Sequence, residues 1–306
     1  MKFVFSLFLW VWACFTITAQ EDFYWVTAEQ GDGIFSLLRK QGLDPAKHYK
    51  DFLELNTESL KNGSALKVGI DYKVPVAEDS FKKTGIVVQS EKNSEAPIFD
   101  KELREMSLKS ETLKEAVYYL IAETGELGDE SFVQDIAKNV AAELMTNGAQ
   151  VYIMDKIEQD GTTLTDTQKM GSYIEAINKK YLQNSGKYQR VLIIRADNKV
   201  EKRNMNVAVY HYNKSEQGQR FAENIQNVFQ KNSVSNISST KADRVFKDKN
   251  SLYLARNILP AISLITLDDD AKTAQEKISM RTDKQKLASL LSNGIMNDYV
   301  DLEIEN

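Results

Sequence analysis

Metal and nucleophile chemistry is limited in this chain by the supply of residues. The 306 residues contain one cysteine, Cys14, and two histidines, His48 and His211. An intramolecular disulfide is impossible. Zinc and iron–sulfur sites built from several sulfurs are excluded, because each needs several thiolates. A site with two histidine ligands requires His48 and His211 to meet. Carboxylates are the abundant alternative. Asp268-Asp269-Asp270 could offer oxygens to a hard cation, and the same run also suits a solvated turn with a helix N-cap. No Gly-x-Gly-x-x-Gly, phosphate loop or Gly-x-Ser-x-Gly elbow occurs, and Gly125 and Gly128 alone do not make one. Basic and acidic side chains number 39 and 44, a net charge of −5. That balance argues against a nucleic-acid binder, which would normally be basic.

The elements that must position such residues start after an address segment. Lys2 precedes a mostly apolar run from Phe3 to Ile17, and small Ala19 stands before polar Gln20, Glu21 and Asp22. The run is short for a spanning helix. Residues 1–19 read as a secretory signal peptide cleaved near Ala19 or Gln20. An uncleaved anchor is one alternative. Lipidation at Cys14 is another, against which stands the bulk of Trp12. Cleavage would remove the only cysteine and leave no other long apolar run. The expectation is an exported bacterial protein, periplasmic or in the cell envelope, without stable membrane insertion.

Residues 23–76 read as one small βααβ unit. Phe23-Tyr24-Trp25-Val26 has strand composition. Gly31-Asp32-Gly33 is a turn with Asp32 as a candidate N-cap. Ile34, Leu37 and Leu38 recur at helical spacing up to Gly42, and a second helix runs from Pro45 to Leu55. Tyr72-Lys73-Val74-Pro75 is the closing strand. These residues resemble a LysM module: an aromatic strand, a Gly-Asp turn, a Leu-x-x-Asn helix end and Gly-x-x-Tyr-x-Val-Pro. They match at Gly31, Asp32, Leu53, Asn56, Gly69, Tyr72, Val74 and Pro75, with Gly33 where Thr is usual. The resemblance implies binding of peptidoglycan or another N-acetylglucosamine-containing glycan, with Gly31, Asp32, Gly33 and Asn56 near the sugar. Asp32 and Asn56 could equally be caps alone.

Residues 77–112 are polar and charged and read as a linker with one short helix. Beyond them, apolar runs at Val117–Ile121, Val151–Met154, Val191–Ile194, Val207–Tyr210 and Ala261–Ile265 alternate with amphipathic helical segments. Continuous apolar runs suit strands covered on both faces. The expected fold of residues 113–300 is therefore α/β: three layers, with a mostly parallel sheet between helices. Ligands of such sheets lie beyond the strands' carboxyl ends, here residues 122–129, Asp155, 195–198 and 266–270.

The ordering of these ends resembles the zinc-dependent N-acetylmuramoyl-L-alanine amidase domain of bacterial cell-wall hydrolases. The likeness extends from "YYLIAETGELGDESFVQDIAKNVAAELMTNGAQVYIMDK" through "SLYLARNILPAISLITL" to "KLASLLSNGI". The family's ligand loop carries a Gly-His-Gly, whereas this chain reads Ala122-Glu123-Thr124-Gly125-Glu126. Asp129 or Glu130 could match the family's Glu ligand. Arg195 stands where the second His belongs, and Thr266 where the strand would end in the catalytic Glu. The resemblance therefore implies a degenerate amidase site of Glu123, Glu126, Asp129, Glu130, Arg195 and Thr266 that holds no metal. Arg195 could pair with Glu123 or meet stem-peptide carboxylates. Two alternatives remain open. One is an active amidase with zinc on Glu123, Glu126 and Asp129. The other is an envelope scaffold that binds no glycan and meets other envelope proteins.

Overall fold

The computed structural model describes residues 22–60, 65–89, 94–125, 127–154, 158–159, 162–163, 165–198, 204–233, 244–268 and 278–305. The signal-peptide expectation for residues 1–19, and those for Glu126, Asp155, Asp269 and Asp270, lie outside them. None of the described helices is long and apolar enough to cross a membrane. The chain divides into two units, one of residues 1–38 and 45–77, the other of residues 39–44 and 78–306.

In the first unit, β1 (Phe23–Thr27), α1 (Ile34–Lys40), α2 (Pro45–Leu55) and β2 (Asp71–Pro75) follow in order, and β1 pairs antiparallel with β2. Its core is Leu37, Leu38, Phe52, Tyr72 and Val74, all essentially without solvent contact. Helical spacing in α1 and alternation in β2 turn these side chains to one interior.

The second unit holds α3 (Phe81–Thr84), β3 (Gly85–Gln89), β4 (Ser94–Pro97), a 3-10 turn (Glu102–Arg104), β5 (Ala116–Thr124), α4 (Glu130–Thr146) and β6 (Gln150–Met154). The short pair β7 (Glu158–Gln159) and β8 (Thr162–Thr163) is followed by α5 (Asp166–Gln183), β9 (Tyr188–Ala196), β10 (Asn204–His211) and α6 (Glu216–Lys231). The unit ends with α7 (Lys249–Asn257), β11 (Ala261–Asp268), β12 (Ile278–Arg281) and α8 (Lys284–Glu305). An eight-stranded sheet runs in the order β12-β10-β11-β9-β5-β6-β3-β4. The five strands from β11 to β3 are parallel, and β4, β10 and β12 are antiparallel to their neighbours.

The two faces carry separate cores. Tyr118 and Leu120 of β5 and Leu192 and Ile194 of β9 pack with α4, α6 and α8. Val117, Tyr119, Ile121, Val191 and Ile193 pack with α5 and α7 on the other face. This alternation makes the runs wholly apolar, since each residue is covered whichever way it points. The helices begin on side-chain caps: Asp129 accepts from the Phe132 N–H, Ser215 from Gly218 and Asp248 from Ser251. Thr165 and Gln168 form a reciprocal capping box at α5.

The linker expectation is corrected. Residues 81–97 supply α3, β3 and β4, and Phe81, Phe99, Leu103 and Met106 are buried in the unit's core. Gly85-Ile86-Val87-Val88 is a β-branched run too short to stand out among charged neighbours. It becomes a strand by adding to the edge of β6, which supplies its hydrogen-bond partners.

Candidate functional site

Parallel pairing brings three of the candidate residues into one row. Glu123 lies opposite Arg195, and Arg195 lies opposite Thr266, across adjacent β5, β9 and β11. All three share the parity of the residues that face α5 and α7. The row is at the carboxyl ends of the strands. From β5 the chain crosses to β6 on one side, while β9 lies on the other side of β5. The Glu123–Arg195 pair therefore occupies the point where strand order reverses, where open α/β sheets form their crevice.

An ion pair fills that point. Arg195 donates from Nε and Nη2 to Glu123 Oε2, at 3.0 and 2.7 Å. Nη2 also donates to Ser251 Oγ at 3.1 Å, and Nη1 lies 3.5 Å from Asp248 Oδ2. Glu123 is only 8% exposed, and Ser251 is fully buried. Burial alone would lower the Arg195 pKa, but the Glu123, Asp248 and Asp197 carboxylates outweigh it and raise it above its ordinary value. Burial alone would raise the pKa of Asp248. The Ser251 main-chain N–H and the Arg195 charge outweigh this and hold the carboxyl below its usual range. Asp248 and Ser251 were not among the residues singled out from the sequence. The signal present is Asp-x-x-Ser ahead of an amphipathic run, which marks a helix start but not its proximity to Arg195.

Asp129 caps α4. Its Oδ1 takes the Ser131 hydroxyl at 2.7 Å and the Phe132 N–H at 3.2 Å, and these bonds lower its pKa, the hydroxyl more. Glu130 accepts from the Gln134 amide in the first turn of the helix. Depressed carboxyls stabilise the fold above their unfolded pKa, near 4, and lose that contribution as pH falls through the lower folded value. Thermal stability is therefore expected to fall between about pH 5 and pH 2, and Asp248→Asn and Asp129→Asn should each flatten this limb in melting curves recorded against pH.

The loop after β5 lies against the end of β9. The Gly125 N–H donates to the Ala196 carbonyl at 3.0 Å. A Cβ on Gly128 would fall 2.2 Å from the same oxygen. Gly128→Ala is expected to push this loop off β9 at a cost of about 1–3 kcal/mol, measurable as a lower urea midpoint with an unchanged slope.

The glycan candidates lie in the first unit. Gly31 has φ +89°, a conformation that favours glycine, and a Cβ on Gly31 or Gly33 would meet nothing within 4 Å. The turn thus presents open main chain. Asp32 is not the N-cap expected from the sequence. Gly33 holds that position, its carbonyl accepting from Leu37 and its N–H donating to Ser36 Oγ. Asp32 instead closes the preceding turn by accepting from the Glu29 N–H at 2.9 Å. Asn56 is 4% exposed. Its amide donates to the Phe52 and Lys73 carbonyls at 2.8 and 2.7 Å and accepts from the Lys73 N–H at 2.8 Å. It fastens α2 to the outer edge of β2, where an absent third strand would have bonded.

A zinc site needs three or four lone-pair donors with room between them. The row does not fit this. Arg195 is donor-only and already uses Glu123 Oε2, while Thr266 Oγ1 reaches back to the Ala208 carbonyl at 3.5 Å. Asp129 is bound up in its cap. The two histidines belong to different units. His211 is buried, with Nδ1 3.1 Å from the Tyr212 carbonyl. His48 is mostly covered and lies 3.7 Å from Asp51.

No protein-family model matches the sequence, and no curated protein does. Solved structures similar in fold include the CwlD amidase from Clostridioides difficile in complex with the GerS lipoprotein. Its TM-score is 0.42 at 13% identity, covering 60% of this chain and 98% of that one. An N-acetylmuramoyl-L-alanine amidase from Clostridium difficile 630 gives 0.37 at 13% identity, over 62% and 98%. A metallo-carboxypeptidase from Burkholderia cenocepacia gives 0.34 at 13% identity, over 62% and 58%. Likeness at this level concerns the arrangement of strands and helices. It assigns no family and no activity.

Proposed function

We propose that this is an exported bacterial cell-envelope protein that binds peptidoglycan through its LysM-like first unit. Its amidase-like second unit is a pseudoenzyme in this reading. The observation that carries the reading is the Glu123–Arg195–Thr266 row. The crevice where an amidase of this architecture would do its chemistry is filled by a guanidinium that already satisfies Glu123, Ser251 and Asp248. A cation there would face Arg195 at close range, and one carboxylate cannot replace three ligands. The open Gly31–Gly33 turn is the main-chain surface offered to glycan. Asn56 contributes by holding the fold rather than by facing sugar. Peptidoglycan is the proposed ligand, with other envelope proteins as further partners.

The test has two arms. Insoluble peptidoglycan should retain the full chain from solution. The same protein should take up no stoichiometric zinc and release no dye from labelled peptidoglycan. Stoichiometric zinc with chelator-sensitive release would establish the active alternative, with displaced ligands, in place of the pseudoenzyme. Failure of retention would favour a scaffold that binds no glycan.

A further inference from the structure

The strand pair of the first unit has two unlike faces. Inward, Tyr72 and Val74 are buried, and the Tyr72 ring meets Phe52 with centroids 6.1 Å apart. On the opposite side-chain parity lie three cross-strand pairs: Phe23 with Pro75, Trp25 with Lys73, and Thr27 with Asp71, of which Pro75 is buried and Phe23 half-buried. Trp25 is 58% exposed. Phe23 meets its ring edge-on at 5.8 Å and 87°, a contact that favours this orientation. Lys73 Nζ lies 4.5 Å from the Phe23 ring centroid and 5.4 Å from that of Trp25. Among the described residues this ammonium has no ion-pair partner. At the far end of the face, the Thr27 hydroxyl donates to Asp71 Oδ1 at 2.6 Å.

This face contributes little to the core, yet it orients a large indole toward water. An exposed tryptophan held in place loses little entropy on binding and is a frequent energetic anchor. Three ligand features match it. The flat apolar ring suits the C–H face of a pyranose. The ammonium, set against the two ring faces, suits a carboxylate. Asp71 suits a hydroxyl or an acetamido N–H. We infer that the Phe23–Trp25–Lys73 face is a second carbohydrate-binding surface that takes a sugar ring carrying an acidic substituent, as on peptide-substituted glycan strands. It uses side chains of the sheet, whereas the Gly31–Gly33 turn offers main chain. The inference rests on the glycan-binding reading above and adds the charge of the ligand.

Trp10, Trp12 and Trp25 are the only tryptophans. In the full chain with Trp10→Phe and Trp12→Phe, indole emission therefore reports on this face alone. Acidic muropeptide fragments should shift that emission. Calorimetry in the wild-type background should show affinity reduced about tenfold by Trp25→Ala and about threefold by Lys73→Met. Trp25→Phe should recover part of the loss, and neutral chitotetraose should bind more weakly than the acidic fragment. Circular dichroism establishes that the variants are folded. Unchanged emission of the Trp10→Phe/Trp12→Phe chain on adding the fragments, or unchanged affinity in Trp25→Ala, with retention on insoluble peptidoglycan intact, would overturn this inference and leave the proposed function standing. Equal affinity for chitotetraose and the acidic fragment in both parent and Lys73→Met would also overturn it. A parent chain that binds neither ligand and is not retained would overturn both.

Discussion

Asp298→Ala is expected to destabilise the second unit by about 3–5 kcal/mol, the usual consequence of removing one partner from a buried ion pair. Asp298 lies on α8 with 0% exposure. Its Oδ2 accepts from Arg190 Nε at 3.1 Å and from the Tyr188 hydroxyl, and its Oδ1 accepts from Arg220 Nε at 2.8 Å. Arg190 is itself buried, with Nη1 on the Gln189 carbonyl and Gln217 Oε1 and its guanidinium 4.2 Å from the Tyr188 ring centroid. One carboxylate thus joins α8, α6 and the start of β9. Alanine would leave the Arg190 charge buried without its counter-ion. The melting temperature should drop on the order of 10 °C. Asp298→Asn, which keeps shape and some hydrogen bonds, should lose less. Urea unfolding followed by circular dichroism measures both. A loss below about 1 kcal/mol in the alanine variant would mean that water reaches Arg190 and that the cluster is not a structural hub. Asp298 and Arg190 belong to the second unit, whereas the proposed glycan surface is on the first, so glycan retention of the folded variant should be unchanged.

Arg195→Met should cost about 2–4 kcal/mol, somewhat below the figure for a fully buried pair because Arg195 keeps some water contact. The variant leaves the Glu123 carboxylate in a nearly closed crevice with no cation, and it removes a partner from Ser251 and Asp248. The double variant Glu123→Met/Arg195→Met should recover most of that loss, since replacing both charges by apolar groups is often neutral. A double-mutant cycle from urea midpoints should return a coupling above about 1 kcal/mol. Arg195→Lys should not rescue the fold fully, because an ammonium cannot serve Glu123, Ser251 and Asp248 from one planar fork. Additive single losses would show that the pair is a surface contact. The crevice would then be open to ligands, and the pseudoenzyme reading would lose its main support.

The fold and the site were legible to different depths. The five apolar runs are strands because a sheet covered by helices on both faces needs nonpolar residues on both. The amphipathic segments between them are helices that cover it. Short edge strands gave no comparable signal. β3 is a few β-branched residues in a charged stretch, β4 reads Ser94-Glu95-Ala96-Pro97, and β12 lies beside residues outside the described set. Their strand state comes from pairing with a neighbour. Asn56 shows the same limit at one residue. Its place at the end of a Leu-x-x-Asn helix was visible, but its bonds to Lys73, seventeen residues on, were not.

By itself the sequence determined which chemistry the chain could not supply. One cysteine and two histidines are facts of composition, and folding cannot add a missing lone pair. Tertiary structure alone decided which of the remaining polar groups meet. Glu123, Arg195 and Thr266 are neighbours only because β5, β9 and β11 pair in parallel at one register. Asp248 and Ser251 reach Arg195 only because α7 packs on that face of the sheet. Contacts between residues more than fifty positions apart follow from strand order and register, and no local pattern encodes them.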